Sequence, residues 1–545
     1  MKNGEPGATG TGATGTGADP AAGAAGATGA TGAAAPSATQ PPTAGDAGVG
    51  KHTATKQSEG TVGAPGRAHW VDMAWRFGVP LAIFAGLWFC PHPETLSDQA
   101  WRMFGLFVAT IVAIILKPMP MGAVTIIGMV IGVLTGLIPL TASKDDPGAA
   151  YALMGFGNGT IWLIVMAFLI SRGFVKTGLG RRIALFFVSK VGGKMMGVSY
   201  GLAMADFVLS PAIPSATARG GGIMAPIMKS VALTYESEPG PTRRRAGAFL
   251  AMNVGQVNAI TCAIFLTAMA GNPLIASLAG QLSVEITWTN WALGAIVPGI
   301  VALIVVPYVV YLVYPPELKE TPKVKTMAQG ELRNLGPLSY GEKVLAGTFV
   351  VLLLLWTLGD LLLGISATTT AFVGVIILLI TSVLTWEDVI REKAAWDTMV
   401  WFAVLYMMAT ALSKFGFIDW ISELIASGLG GMHWGLALVL LVVIYFFSHY
   451  LFASATAHIS AMYIAFLGAA IALGAPPLMS ALVLAYTSNL FTSLTQYAGG
   501  ASPTLFGMNY IRVGEWWRTA AIAGVASLTI WIVVGGAWMN LIGFW

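Results

Sequence analysis

Long apolar runs separated by short polar loops dominate the 545-residue chain. A helix needs about 20 apolar residues to cross a hydrocarbon core of about 30 Å. Eleven runs approach or exceed this length, which predicts an all-α polytopic membrane protein with about 11 transmembrane helices. The candidate spans are residues 73–91, 101–116, 120–141, 156–171, 246–270, 292–314, 341–366, 369–386, 397–412, 476–498 and 519–543.

Two further apolar regions, residues 187–229 and 434–474, are each interrupted midway by Ser-Ala-Thr-Ala. Lysine and arginine flank the first region on both sides, and such residues mark the cytoplasmic face. A single lysine, Lys414, precedes the second region, and none separates it from the next span. We therefore expect two re-entrant hairpins that enter from opposite faces. With a cytoplasmic N-terminus, eleven crossings place Lys117 and Arg172 in the cytoplasm and the C-terminus in the periplasm.

An internal repeat relates the two halves of the chain. The stretch PSATAR from Pro214 matches ASATAH from Ala453 at an offset of 239 residues, and VKTGLG matches SKFGFI at an offset of 238. Further on, AGNP ending at Pro273 matches GASP ending at Pro503 at an offset of 230. Because the charge pattern gives the halves opposite orientations, we interpret them as an inverted-topology repeat. In transporters such a repeat places the substrate site at mid-membrane.

Broken helices at membrane depth must be buried in protein or line a water-filled cavity, because lipid satisfies no backbone hydrogen bond. At the first interruption, prolines and glycines leave backbone N–H groups free beside hydroxyl side chains, and the second interruption offers the same hydroxyls. Helix N-termini with hydroxyl donors suit a carboxylate or phosphate. The alternative is that each hydroxyl bonds the carbonyl four residues back in its own helix. The candidate anion-binding residues are Ser215, Thr217, Ser454 and Thr456 at the tips, and Gly271, Asn272, Ser502 and Pro503 at two further helix breaks.

Three further polar residues in these regions have two interpretations each. Arg219 needs a partner, because an arginine near the bilayer centre costs about 2.5 to 3.5 kcal/mol. That partner is either a substrate carboxylate or Asp206 on the other arm of the hairpin. His458 either binds or titrates with substrate, or is a buried, hydrogen-bonded histidine. Asn489 either contacts substrate or joins neighbouring helices.

Composition restricts the function classes. The chain is 56% hydrophobic and 10% charged, and its net charge of +4 arises from loops facing the cytoplasm, so no nucleic-acid partner is expected. Neither a catalytic Ser/His/Asp set nor a metal-ligand spacing is present in the sequence, so we expect no enzyme, no cofactor and no metal site. An ion channel is a more distant alternative, since re-entrant loops also build selectivity filters.

Four stretches are distinctive in combination: GLGRRIA, PSATARGGGIMAPI, SHYLFASATAH and SNLFTSLTQYAGGASPTLFG. By these stretches the chain, from about residue 72 to the C-terminus, resembles the divalent anion:sodium symporter superfamily, especially its citrate:succinate antiporter and 2-oxoglutarate:malate translocator branch. The family carries Ser-Asn-Thr at each tip, where this chain has Ala216 and Ala455 in place of asparagine. The resemblance implies that the tips bind carboxylates. The lost amides make sodium binding doubtful and favour sodium-independent exchange, with a sodium-coupled symporter as the alternative.

The resemblance also implies a homodimer in the bacterial inner membrane. In it, a transport domain slides across a scaffold, as in an elevator, and carries succinate, malate, 2-oxoglutarate, citrate or tartrate. A tail of mostly Gly, Ala, Thr and Pro at residues 1–68 is expected to be disordered. The other segments are scaffold 69–190, transport domain 191–315, cytoplasmic linker 316–340, scaffold 341–430 and transport domain 431–545.

Overall fold

A computed structural model describes residues 67–144, 146 and 148–545. The tail predicted at residues 1–68 lies almost entirely outside them. The α-helices are α1 (Arg67–Phe89), α2 (Asp98–Leu116), α3 (Met121–Leu134), α4 (Gly159–Thr177), α5 (Leu179–Val191), α6 (Met195–Leu209), α7 (Ala225–Thr234), α8 (Gly247–Ile264), α9 (Gly271–Gln281), α10 (Trp288–Val313), α11 (Pro322–Asn334), α12 (Tyr340–Leu354), α13 (Asp360–Leu363), α14 (Ala367–Ile380), α15 (Trp386–Arg391), α16 (Lys393–Lys414), α17 (Phe417–Gly428), α18 (Trp434–Ser448), α19 (Ala455–Ala472), α20 (Pro477–Leu490), α21 (Ser502–Gly507) and α22 (Val513–Leu541).

The described part of the chain contains no named strand, and its one isolated β-bridge joins Lys194 to Glu320. The prediction of an all-α polytopic membrane protein is therefore confirmed. Within that part, nine helical segments are long and apolar enough to cross a membrane. They are Asp98–Leu116, Gly159–Thr177, Gly247–Ile264, Trp288–Val313, Tyr340–Gly359, Lys393–Lys414, Trp434–Leu451, Ala455–Ala472 and Val513–Leu541.

The nine segments are not the same set as the eleven predicted spans. Met121–Leu134 and Ala367–Ile380 are apolar but shorter than 18 residues, whereas α1 is 23 residues long and its segment Met73–Phe89 is apolar. The predicted span 476–498 is broken into α20 and a 3₁₀ turn at Phe491–Ser493. Two of the nine, Trp434–Leu451 and Ala455–Ala472, are the arms expected of the second hairpin. Length alone therefore does not separate hairpin arms from spans.

The second half repeats the first element by element. The seven helices α4 to α10 correspond one to one, and in the same order, to the seven helices α16 to α22. Gly178 after α4 and Gly416 after α16 both have left-handed backbone, with φ 76° and 83°. Helices α8 and α20 both end in a 3₁₀ turn, after which a short helix and then a long helix follow. The repeat seen in the sequence is thus present in the order of the helices.

The two halves pack into each other through their repeated helices. Helix α8 contacts α20, α9 contacts α19, and α10 contacts α22. All 18 residues of α8 are buried, so protein covers this helix where lipid would otherwise touch it. On the other side, α16 packs against α3 and α4. This arrangement brings both interrupted regions close to α2, α3 and α16.

Candidate functional site

A cavity of about 790 Å³ lies between two walls of different origin. One wall is formed by the end of α2, the loop to α3, the first residue of α3, one residue of α4 and two residues of α16. It consists of Ile114, Ile115, Lys117, Pro118, Met119, Pro120, Met121, Phe168, Thr398 and Trp401. The other wall contains both Ser-Ala-Thr stretches and the two helix breaks. It consists of Pro214, Ser215, Ala216, Thr217, Met269, Ala270, Gly271, Ala453, Ser454, Ala455, Thr456, Thr492, Tyr497, Gly499, Gly500 and Pro503.

The first tip is the Ser-Ala-Thr stretch at residues 215–217, and Ser215 caps the N-terminus of the helix that begins there. The second tip is the same stretch at residues 454–456. The Ser215 Oγ accepts a hydrogen bond from the N–H of Ala218 at 3.1 Å, and the Ser215 carbonyl accepts from the N–H of Arg219 at 3.0 Å. This is the pattern of a helix N-cap. The backbone N–H groups of Ala216 and Thr217 precede the first intrahelical bonds, so they have no partner within the helix. Both residues line the cavity.

The second tip has the same capping. The Ser454 Oγ accepts from the N–H of Ala457 at 3.4 Å, and the Ser454 carbonyl accepts from the N–H of His458 at 3.1 Å. The N–H groups of Ala455 and Thr456 again precede the first intrahelical bonds. Each tip therefore presents two backbone donors and a hydroxyl to one cavity. The two serines cap their own helices, so they do not bond the carbonyl four residues back.

The first tip docks directly on the second helix break. The Thr217 hydroxyl donates to the Gly500 carbonyl at 2.9 Å. Gly220, in the π-helical turn Thr217–Met224, has no room for a side chain, because a Cβ there would overlap the Cβ of Ala501. The same Cβ would lie 3.1 Å from Cγ of Asn258. Close backbone packing thus holds the tip in place.

Each helix break is held by a side chain that bonds carbonyls of the helix before it. The Asn272 amide donates to the carbonyls of Cys262 and Phe265 at 2.9 and 3.1 Å. The Ser502 hydroxyl donates to the Thr492 carbonyl at 3.2 Å. Asn272 and Ser502 are 230 residues apart, as are Cys262 and Thr492. The repeat therefore extends to individual hydrogen bonds.

Asn489 joins the two breaks. Its Nδ2 donates to Oδ1 of Asn272 at 2.8 Å and to the carbonyl of Ala485 at 3.0 Å. Of the two interpretations of Asn489, the structure shows the interhelical contact. Asn272, Ser502 and Asn489 lie behind the cavity wall and do not line it.

Arg219 is fully buried behind the first tip. Its Nε donates to a carboxylate oxygen of Asp206 at 3.1 Å. Its Nη1 donates to the carbonyl of Ile213, just before the tip, and to that of Ala268, in the first break. Its Nη2 lies 3.1 Å from Sγ of Cys262. Of the two predicted partners the structure shows Asp206, and the guanidinium does not reach the cavity.

His458 occupies the matching place behind the second tip and is also fully buried. The Nε2 of His449 donates to the Ala498 carbonyl at 3.3 Å, so a neutral His449 presents Nδ1 as an acceptor. The Nδ1 of His458, 2.9 Å away, then donates to it, and the Nε2 of His458 lies 3.1 Å from Ser448 Oγ. This network assigns both tautomers. The structure shows the buried, hydrogen-bonded histidine, away from the cavity lining.

Seven of the twelve predicted site residues line the cavity: Ser215, Ala216, Thr217, Ser454, Ala455, Thr456 and Pro503. The wall formed by α2, α3, α4 and α16 was not predicted, because its residues belong to regular apolar helices without a visible break. Lys117 was interpreted only as a loop charge. Among the described residues no group of three or more His, Cys, Asp or Glu side chains could hold a metal ion.

Comparison with known proteins gives a consistent picture. Residues 71–545 match the family described as sodium:sulfate symporter transmembrane region. The chain is 49% identical over 469 residues to a candidate malate transporter, YflS, of Bacillus subtilis (strain 168), covering 86% of this chain and 96% of that protein. It is 43% identical over 463 residues to dicarboxylate transporter 1, chloroplastic, of Arabidopsis thaliana, covering 84% and 81%.

Two further matches extend this comparison. The chain is 37% identical over 474 residues to inner membrane protein YbhI of Escherichia coli (strain K12), covering 86% of this chain and 98% of that protein. Among solved structures, the Alcanivorax borkumensis YdaH transporter matches with a TM-score of 0.50 and 13% identity, covering 87% of this chain and 98% of that one. The second likeness concerns the fold alone.

Proposed function

Because this chain belongs to the divalent anion:sodium symporter superfamily, in its dicarboxylate transporter branch, we propose that it carries dicarboxylates across a bacterial inner membrane. Malate, succinate and 2-oxoglutarate are the primary candidates, with citrate and tartrate as further members of the substrate class. The names of the relatives YflS and YbhI support the substrate and the membrane. The observation that carries the proposal is that both serine-capped tips line the same cavity.

The substrate's carboxylates bind at the two tips. Each tip offers two backbone N–H groups at the positive end of a helix dipole, which favours an anion. Ala216 and Ala455, which stand where the family has asparagine, leave these backbone N–H groups uncovered by a larger side chain. The cavity is several times larger than a four-carbon dicarboxylate, so water and the hydroxyls of Ser215, Ser454 and Thr456 complete the site.

The two walls correspond to the two domains expected for an elevator-type carrier in a homodimer. Lys117, Phe168 and Trp401 belong to the proposed scaffold segments, whereas the tips and breaks belong to the proposed transport domain. Sliding of one wall past the other would carry the bound anion across the membrane. Lys117 lines the cavity, and the charge pattern predicts that this residue lies in the cytoplasm, so we propose that this conformation is inward-open.

The transport mode is sodium-independent exchange of one dicarboxylate for another. Loss of the asparagine at both tips supports this mode, because two side-chain carbonyls that could bind a cation are absent. A sodium-coupled symporter remains the second candidate for one specific reason. The buried oxygens Asn489 Oδ1 and Thr495 Oγ1 have no hydrogen-bond partner among the described residues, and such oxygens could bind a hard cation.

Uptake of labelled succinate into proteoliposomes tests this proposal. Vesicles are either empty or preloaded with unlabelled malate, succinate, 2-oxoglutarate or citrate, each with and without an inward sodium gradient. We expect uptake only into preloaded vesicles, at a rate that does not depend on sodium. Concentrative, sodium-driven uptake into empty vesicles would replace the exchanger by the symporter. No uptake under any of these conditions would overturn dicarboxylate transport itself.

Substitutions at the two tips test whether they bind the transported substrate. Ser215→Ala and Ser454→Ala each remove a cap and a polar group from the cavity wall, so both should raise KM. Ser427→Ala is the matched control, because the Ser427 hydroxyl bonds only the nearby Leu424 carbonyl at the exposed end of α17 and lies outside the cavity. Thermal unfolding of each purified variant separates loss of binding from loss of folded protein.

A further inference from the structure

Lys117 is the only charged side chain among the described residues that line the cavity. The remaining lining residues are apolar, hydroxyl-bearing or aromatic. Arg219, the cation expected beside the substrate, is buried behind the tip and already paired with Asp206. A dianion that enters this cavity therefore meets one fixed positive charge, and that charge lies on the wall opposite the tips.

The last carbonyls of α2 are bound by a side chain other than that of Lys117. Lys117 ends α2 in the left-handed conformation, with φ 51° and ψ 52°, and its N–H bonds the carbonyl of Ala113. A lysine at such a place often turns back to the last carbonyls of its helix. Here the guanidinium of Arg76 donates to the carbonyls of Leu116 and Lys117 at 3.3 and 3.4 Å. Lys117 is exposed and lines the cavity.

We propose that Lys117 is the electrostatic recruitment residue for the substrate, a cation on the static wall that draws dicarboxylates to the two tips and raises the affinity of this conformation for them. The inference rests on the proposed function. A cleft whose charge has one sign concentrates counter-ions and can raise association rates by about 10- to 1000-fold, and the effect falls as ionic strength rises. Because Lys117 and both tips line the same cavity, Lys117 acts through its charge without needing to clamp a carboxylate.

Substitution at Lys117 tests the charge separately from the backbone. Asparagine tolerates left-handed backbone, so Lys117→Asn removes the charge with little strain. We expect Lys117→Asn to raise KM about tenfold or more at low salt, with a smaller change in the maximal rate. Lys117→Arg keeps the charge and should stay close to wild type. Lys229→Gln, which removes an exposed lysine on α7 outside the cavity, is the control and should leave KM unchanged.

Charge can also be restored chemically in a single folded protein. Lys117→Cys is made in a Cys90→Ser background, because Cys90 is exposed and Cys262 is buried. An aminoethyl methanethiosulfonate reagent should lower KM again, and the sulfonatoethyl reagent should raise it further. Raising the ionic strength should increase the KM of wild type and leave that of Lys117→Asn nearly constant.

The outcomes distinguish this role from the proposed function. If wild type exchanges dicarboxylates and Lys117→Asn matches it within about twofold, the role of Lys117 is overturned and the carrier stands. If both reagents restore the cysteine variant equally, the side chain acts through its size, and the recruitment role is again overturned. If wild type itself exchanges no dicarboxylate, both conclusions are overturned together.

Discussion

The carboxylate of Asp206 lies 3.1 Å from Nε of Arg219, and this buried ion pair has a neutral counterpart in the other half of the chain. Tyr445 and His458, each 239 residues further along, occupy the corresponding places, with ring centroids 4.6 Å apart. One half thus supports its tip with opposite charges, and the other half supports its tip with two uncharged rings in contact.

The correspondence extends to the next contact. Asp206 accepts a hydrogen bond from Asn258 at 3.2 Å, and Tyr445 bonds Ser488 at 2.9 Å. Asn258 and Ser488 are 230 residues apart, the same offset that relates the two breaks. Both arrangements fill the space between tip and broken helix, so the repeat requires a filled and hydrogen-bonded contact there and does not require a charge.

We predict that Arg219→Gln destabilises the protein strongly. Removing one partner of a buried pair leaves the other charge uncompensated, which costs about 3 to 5 kcal/mol. The double variant Asp206→Asn/Arg219→Gln should lose less stability than either single variant, because neither charge remains. Thermal unfolding in detergent measures this double-mutant cycle. A direct substrate role for Arg219 would instead appear as a raised KM in Arg219→Gln at unchanged unfolding temperature.

Gly220→Ala should impair transport, although alanine is the better helix former. The added Cβ would overlap Ala501 and press on Asn258, so the first tip would have to move away from the second break. Gly222→Ala is the matched control, because a Cβ at that position, two residues along the same π-helical turn, meets nothing within 4 Å. Exchange rates of the two variants in proteoliposomes provide the comparison. Equal rates would contradict the tight docking of the tip.

The ion pair between Lys176 and Asp388 should contribute a small, pH-defined stability. The hydrogen bond from Lys176, at 2.5 Å, lowers the pKa of the Asp388 carboxyl to about 2. A lowered pKa gives stability that is complete above the unfolded value of about 3.9 and is lost as pH falls towards 2. Asp388→Asn should therefore cost about 1 kcal/mol or less.

The pH dependence of that cost provides the check. Unfolding temperatures of wild type and Asp388→Asn should differ by the same amount at every pH from 8 to about 5, above the unfolded pKa. Added salt should reduce the difference, because Lys176 is partly exposed. A difference that disappears between pH 7 and 6 would point to a histidine and away from this pair.

The sequence predicted the first tip because Ser-Ala-Thr lies between Pro214 and Gly220, and the second because the same stretch recurs 239 residues later. It also predicted both possible partners of Arg219, but it could not choose between them. That choice depends on the rotation of α6, which turns Asp206 towards the tip. Asn272 and Ser502 were expected to face the substrate. The sequence correctly placed them at helix breaks. It could not show that they bond the carbonyls of the preceding segment, because those carbonyls become free only where the helix has broken.

Lys117, by contrast, was not predicted as a site residue at all. A lysine at the end of an apolar run is typical of a membrane interface, so its presence required no further explanation. Its role depends on which elements face it across the cavity, and those elements lie 100 to almost 400 residues further along the chain. Contacts over such separations leave no local pattern in the sequence.

Helix α8 cannot reach its final surroundings when it leaves the ribosome. Its Gln256 exchanges hydrogen bonds with Ser493, a residue synthesised 237 positions later. Until then the Gln256 amide lacks this partner, and an unsatisfied amide in lipid costs several kcal/mol. We expect the first half of the nascent protein to be held at the insertion machinery until α20 enters the bilayer. A chain that ends after α10 should be recognised as unfinished and degraded.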